Sequence, residues 1–163
     1  MALIISDANI LIDLECAELT PRIFRLDLEL AVPDALYRDE LSQHHGELPA
    51  LGLQLYELSP ELISQAFALR ARYSGPSTYD LFALVLALDR ECPLLTGDKQ
   101  LRRLAVEKGV GVFGTLWLME QLFDAALLSI DQMDSAYQTM LNDQRWLPER
   151  EIRRQLARLR HRG

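Results

Sequence analysis

The run from Leu81 to Leu88 contains eight residues, all apolar, so a helix built on it presents no polar face and has to be buried on every side. It opens on an acid, Asp80, and closes with Asp89-Arg90-Glu91. Pro93 and a short run, Leu94-Leu95-Thr96, follow at the length of a core strand, and Gly97-Asp98-Lys99 turns the chain outward. Asp98 therefore falls just past the carboxyl end of a buried strand, the edge at which open α/β sheets bind ligands. One carboxylate opening a buried helix and another closing a buried strand are candidates to face one crevice.

The same pattern recurs at the start of the chain. Leu3-Ile4-Ile5 reads as a strand, and Asp7-Ala8-Asn9 follows it, leading into a helix from Ile10 to Glu18. Thr20-Pro21 is the pattern of a cap and first-turn proline for a helix through Leu26. Leu30-Ala31-Val32-Pro33 is a second strand, after which Asp34 is placed to cap a helix from Ala35 to about His44. On that helix Glu40 shares a face with Leu36, Tyr37, Leu41 and His44, which predicts a carboxylate held against apolar neighbours. Leu53 to Leu58 is a third strand candidate, and Ser59-Pro60-Glu61 opens the next helix. A basic amphipathic helix runs from Asp98 to Lys108 with Gly109 as its stop. Val110, Val112 and Phe113 supply the last strand, Thr115 caps a helix through Leu122, and two helices separated near Leu147-Pro148 complete the chain. Strand and helix alternate, so a parallel sheet wrapped by helices is expected.

At 163 residues and 49% hydrophobic content the chain suits one domain. Cys16 and Cys92 lie in apolar segments without a metal-ligand spacing, which predicts buried free thiols and a reducing, cytoplasmic setting. No segment has the length of a membrane span, and the N-terminal run lacks a leader pattern. The net charge of -7 argues against indiscriminate nucleic-acid binding, which needs a basic field. Yet Glu149 to Gly163 holds six arginines against two glutamates. Such a tail holds RNA, clamps a partner or folds onto the acidic body.

Four acids stand out by position: Asp7, Glu40, Asp80 and Asp98. With 24 Asp and Glu in the chain, each also has a purely structural reading. Ser77-x-x-Asp80 is a capping box, and Asp7 and Asp98 suit helix caps. Gathered in one crevice, the four would repel and protonate unless a cation compensated them. Oxygen donors select Mg²⁺ or Mn²⁺, which polarises a phosphodiester and acidifies a bound water. The histidines, His44, His45 and His161, have no zinc spacing. Gly109 to Gly114 satisfies GxGxxG, but a helix precedes it and the strand lies inside it, the wrong context for a dinucleotide loop. Asp7-Ala8-Asn9 carries Asn9 where an aspartyl phosphatase needs its second acid.

Several of these residues carry a family resemblance. Ile4-Ile5-Ser6-Asp7-Ala8-Asn9 resembles the opening of a PIN domain, Glu40 the acid on the helix after the second strand, and Asp80 the acid opening the buried helix. Leu95-Thr96-Gly97-Asp98-Lys99 resembles the fourth-acid motif, and Gly109 to Trp117 the last strand and helix of small prokaryotic VapC-type toxins and their relatives. The resemblance covers roughly residues 2–128. It implies a PIN-like three-layer α/β fold, a central mostly parallel sheet flanked by helices, with residues 1–128 as the nuclease domain and 129–163 as a helical extension. It also implies a strand order that sets the first and fourth strands side by side, so that Asp7 meets Asp98. The implied activity is a Mg²⁺- or Mn²⁺-dependent endoribonuclease acting on single-stranded RNA, with Asp7, Glu40, Asp80 and Asp98 as catalytic metal ligands and Asn9 orienting Asp7 or substrate. Asp34 and Asp39 are rivals for the place given to Glu40. Lys99, Arg102 and Arg103, at i, i+3 and i+4, are candidates to hold phosphates beside them. A toxin of this kind is expected to meet a small antitoxin and to form a homodimer. The alternative is a PIN-like module that binds RNA or protein without cutting.

Overall fold

The computed structural model describes residues 1–162. Five strands, β1 (Ala2–Ser6), β2 (Leu28–Pro33), β3 (Gln54–Tyr56), β4 (Leu94–Leu95) and β5 (Val112–Phe113), form one sheet in the order β3-β2-β1-β4-β5. Every pairing is parallel, so the sheet is wholly rather than mostly so. The order reverses between β1 and β4, and the crevice outside their carboxyl ends is the switch point of the topology.

Side-chain alternation along the strands divides the core in two. Ile5 on β1 pairs with Ala31 and Leu94, and these three point to the layer of α5 (Pro60–Arg72), α6 (Thr78–Arg90) and α7 (Lys99–Glu107). Ile4, Leu30, Val32 and Leu95 point the other way. There they meet α1 (Ala8–Cys16), α2 (Thr20–Ile23), α8 (Thr115–Asp124), α9 (Ile130–Asn142) and α10 (Glu149–Arg162). The all-apolar run behaves as its composition requires: Leu81 to Ala87 are all buried in α6, which packs on β1 and β2 from one side and on α5 and α7 laterally.

The chain departs from expectation where caps and helix type depend on geometry beyond pattern. Thr20 and Thr115 are first helical residues, not caps; the caps are Leu19 and Gly114, neither with a side-chain bond. Thr115 instead donates its hydroxyl to Asp13. Asp34 likewise begins α3 (Asp34–Leu36) behind Pro33, and the expected helix to His44 becomes a π-helical turn over Tyr37–Leu41. Its signature is the bond from Ser42 N to Tyr37 O at 2.8 Å, five residues apart, which inserts one residue and rotates the positions after it. Glu40 is therefore exposed instead of lying on the apolar stripe of Leu36 and Leu41. Short α4 (Leu48–Leu51) leads into β3. Both cysteines are free and half-buried, less enclosed than expected.

The C-terminal helices share the core of the sheet's second face. Met133, Tyr137, Met140, Ile152, Leu156 and Leu159 are buried in the same cluster as Ile4 and Leu95. A polar bolt joins them: Tyr137, fully buried, donates to Gln155 Oε1 at 2.5 Å, and Gln155 Nε2 donates to Leu116 O at 2.8 Å. Burial holds the Tyr137 phenol protonated by pushing its pKa far up. Arg158 and Arg162 reach Glu120 and Asp124 on α8, so part of the basic tail is folded onto the acidic body.

Replacing Tyr137 by Phe strands Gln155 Oε1 in the core, at about 1–3 kcal/mol. A lower urea midpoint with unchanged slope is the expected outcome, and an unchanged midpoint would show the bolt to be idle.

Candidate functional site

Three helices begin at the β1/β4 edge, and each has an acid at its start, as the N-cap of α1 and α7 and in the first turn of α6. Asp7 follows β1 and caps α1, its Oδ1 accepting from Ile10 N at 3.0 Å. Asp98 follows β4 by three residues and caps α7 through Oδ1, which accepts from Leu101 N at 2.8 Å. Asp80 closes the capping box of α6, Oδ2 accepting from Ser77 N at 3.1 Å. The structural readings of all three acids hold, because orphan amides at helix starts attract carboxylates.

Capping does not exhaust the arrangement. Asp7 is 1% exposed, and its amide donates to Leu95 O at 2.9 Å, which locks the acid to the end of β4. Its second oxygen, Oδ2, accepts from the Thr96 hydroxyl at 2.5 Å, and the same hydroxyl oxygen accepts from Asp98 N at 3.1 Å. Thr96 thus ties the two strand-end acids to each other. Burial, helped by the charges of Asp80 and Asp13 and resisted by the Thr96 and Ile10 bonds, pushes the Asp7 carboxyl up to about 7. Asp80 is raised by burial, against the Ser77 bonds, with Asp98 adding to the rise. Glu40, though exposed as a residue, is raised by partial shielding of its carboxyl and then by the charges of Asp80 and Asp39. Glu40, Asp80, Asp98 and Asp7 are linked in this way as neighbours in one negative field. Asp39, a rival of Glu40, is occupied by the Tyr79 hydroxyl at 2.5 Å.

The donor set is entirely oxygen and like-charged, the chemistry that suits a hard divalent cation. Among the described residues no group of three or more His, Cys, Asp or Glu stands ready as a ligand cage, and the acids direct their bonds to helix amides. A cation at this edge would draw on the buried Asp7 and on Asp80 and Asp98 nearer the surface, with Glu40 from the π-helical turn.

The remaining expected residues divide. Lys99 and Arg102 line a groove of about 460 Å³ that runs from Gly97 along α7 and the start of α8. Arg102 also donates to Thr96 O at 3.1 Å, so it is seated next to the threonine that holds Asp7. Arg103 faces a separate cleft with Tyr73, Pro76 and Glu107. Asn9 is exposed, and its Oδ1 and backbone O both accept from Arg145 at 3.3 Å.

Thr96 stands in the fourth-acid motif without a role of its own in the sequence, and Asp13 and Arg145 were passed over altogether. Asp13 is 7% exposed and accepts from Arg145 Nε at 2.5 Å and Thr115 Oγ1 at 3.1 Å. Burial still raises its carboxyl against those bonds. An acid inside the apolar stripe of Ile10, Leu11 and Leu14 was a visible signal; nothing local marked Arg145, which is 132 residues away. A family model described as a PIN domain matches residues 3–161. No curated protein matches the chain.

The field has a consequence for stability. Between about pH 4 and 7 folded, cation-free protein keeps on Asp7 a proton that the unfolded chain releases, so stability falls as pH rises through that window. The fall is on the order of 4 kcal/mol over the whole window and about 3 kcal/mol of it lies above pH 5, and Asp80 adds in the same direction. In chelator, urea unfolding at pH 5 and pH 8 is expected to show this loss, and Asp7→Asn to remove much of it by raising stability at pH 8. An equal loss in both proteins would refute the assignment.

Proposed function

The chain belongs to the PIN domain family, whose members are in general nucleases, and on that premise we propose that it is a metal-dependent endoribonuclease that hydrolyses phosphodiesters of single-stranded RNA at the β1/β4 edge. The observation that carries the reading is the convergence of Asp7, Asp80 and Asp98 at one edge, with a buried carboxyl pushed up to about 7. Crowded carboxylates in a half-buried site call for a cation, and Mg²⁺ or Mn²⁺ matches their oxygens. Asp7, Asp80, Asp98 and Glu40 are the proposed ligands.

When bound, the cation would lower the pKa of an attacking water and polarise the phosphoryl oxygens. The chain's residues do the rest. Thr96 and the α1 amide fix the Asp7 carboxylate in one orientation at the end of β1. Asp98 is exposed at the rim and commits only Oδ1 to its helix, which leaves Oδ2 for the open side. Lys99 and Arg102, on the helix that Asp98 caps, hold the phosphates on either side of the reacting one. Asn9, gripped by Arg145, keeps the mouth of the site in position beside Asp7.

A second reading draws on the helix-capping bonds of the same acids: a PIN fold that binds RNA or protein without cutting. A toxin's role, with a neutralising antitoxin and a homodimer, is the biological extension of the first reading. It is supported by the likeness of Gly109 to Trp117 to VapC-type toxins; co-purification and light scattering test it.

Cleavage of a labelled single-stranded RNA with Mg²⁺ is expected, with none in EDTA. Asp7→Asn and Asp98→Asn should each lower kcat by about 100-fold or more. RNA binding that survives in all variants without any cleavage would leave the second reading standing instead.

A further inference from the structure

Beside the acidic edge lies a groove whose aromatic wall the nuclease chemistry does not use. It begins at Gly97, next to Asp98, and is walled by Phe113, Trp117 and Trp146. Phe113 and Trp117 stack at 4.3 Å between centroids with 20° between their planes. Trp146 is 68% exposed, an unusual state for the largest apolar side chain, and Lys99 Nζ stands 5.3 Å from its ring centroid. At about 460 Å³ the groove is within the ~300–1,000 Å³ of small-ligand sites, with room for one nucleotide.

Trp146 is held in the open by its neighbours. It sits between α9 and α10, preceded by Arg145 and followed by buried Leu147. Arg145 is fixed by the buried Asp13 carboxylate and by Asn9, both on α1, the helix that Asp7 caps. The same ion pair that anchors the segment neutralises Asp13 in the groove wall. Of the other charged groups lining the groove, Lys99 and Arg102 are cations and Glu151 is the one acid. An exposed aromatic face flanked by two cations, opening onto a proposed phosphodiester site, is the makeup of a single-strand platform: π-faces take bases and cations take phosphates.

We infer that this groove is a nucleobase subsite: the base of a nucleotide flanking the scissile phosphate stacks on Trp146, while Lys99 and Arg102 hold its phosphates. The inference rests on the nucleic-acid reading above and deepens it. A stacked base takes the place of the Lys99 ammonium over the indole and frees that charge for the adjoining phosphate. Arg145 and Asp13 act as positioning residues. Double-stranded RNA is excluded from the subsite, because its bases are already stacked on each other.

The chain has two tryptophans, so Trp117→Phe makes Trp146 the sole reporter and keeps an aromatic ring beside Phe113. That variant is titrated, with Mg²⁺ present, with a 2′-O-methyl phosphorothioate RNA octamer that resists hydrolysis, and with an abasic octamer of the same backbone. Saturable quenching by the base-bearing strand is expected, with the abasic strand binding about ten-fold more weakly or worse. In the wild-type background Trp146→Ala should raise KM for cleavage about ten-fold with kcat retained, and Trp146→Phe should restore most of the loss. Equal binding of the two strands, or an unchanged KM in Trp146→Ala, overturns the subsite while leaving the nuclease intact. Base-dependent quenching without cleavage under any condition sinks the nuclease reading and leaves the subsite. If Trp146→Ala instead dissociates a dimer seen by light scattering and changes no RNA binding, the groove is an interface between copies and the inference fails.

Discussion

The pairing of β1 with β4 is the constraint on which the rest depends. One bond, from Asp7 N to Leu95 O, extends that pairing past the strands and sets a carboxylate at the buried end of the sheet. The helices that start there then bring Asp98 and Asp80 to the same edge, because the chain must turn back over the sheet from each strand end and over β1 from the loop before α6. Positive helix starts partly offset the crowding of like charge, through the amides of Ile10, Leu101 and Ser77. Burial outweighs that offset, and the neighbouring acids add to it, so Asp7, Asp80 and Glu40 are all raised. The folded state thus carries carboxyl groups that resist ionising at the place where ligands bind in such sheets, a common arrangement at functional sites.

Much of this was legible in the chain. Leu81 to Leu88 demanded a buried helix, and alternation of short apolar runs with amphipathic segments demanded a parallel sheet. The acids at strand and helix ends were visible for the same reason, since polar residues at the ends of buried elements stand out against their neighbours. Features that depend on contacts distant in sequence stayed hidden. The π-helical turn that turns Glu40 outward is set by how Leu36 and Leu41 must both reach the core, and no i, i+4 pattern announces it. Thr20 and Thr115 have the composition of caps, yet Thr115 is drawn inward by the buried carboxylate of Asp13. Trp146, between two helices, looked like loop, and only its neighbours in space make it a wall.

The C-terminal helices give the acidic body more than bulk. Through Tyr137 and Gln155 they are bolted to α8, and through Arg145 to α1, so the segment between them is fixed at both ends. The basic residues there divide their work. Arg158 and Arg162 neutralise acids of α8, whereas Arg145 is committed to Asp13 and Asn9. A surface pair such as Arg162 with Asp124 adds little by itself, but the half-buried pair of Arg145 with Asp13 leaves an uncompensated charge in the core if either partner is lost.

The central claim is that Asp7, Asp80 and Asp98 share one cation. An anomalous difference map from a crystal soaked in Mn²⁺ addresses it without reference to any substrate. The account predicts a peak at the β1/β4 edge in bonding contact with oxygens of Asp7 and Asp98, absent from an Asp7→Asn, Asp98→Asn crystal soaked alike. A map with no peak at that edge, and the three carboxylates bonded only to their helix amides, would contradict it.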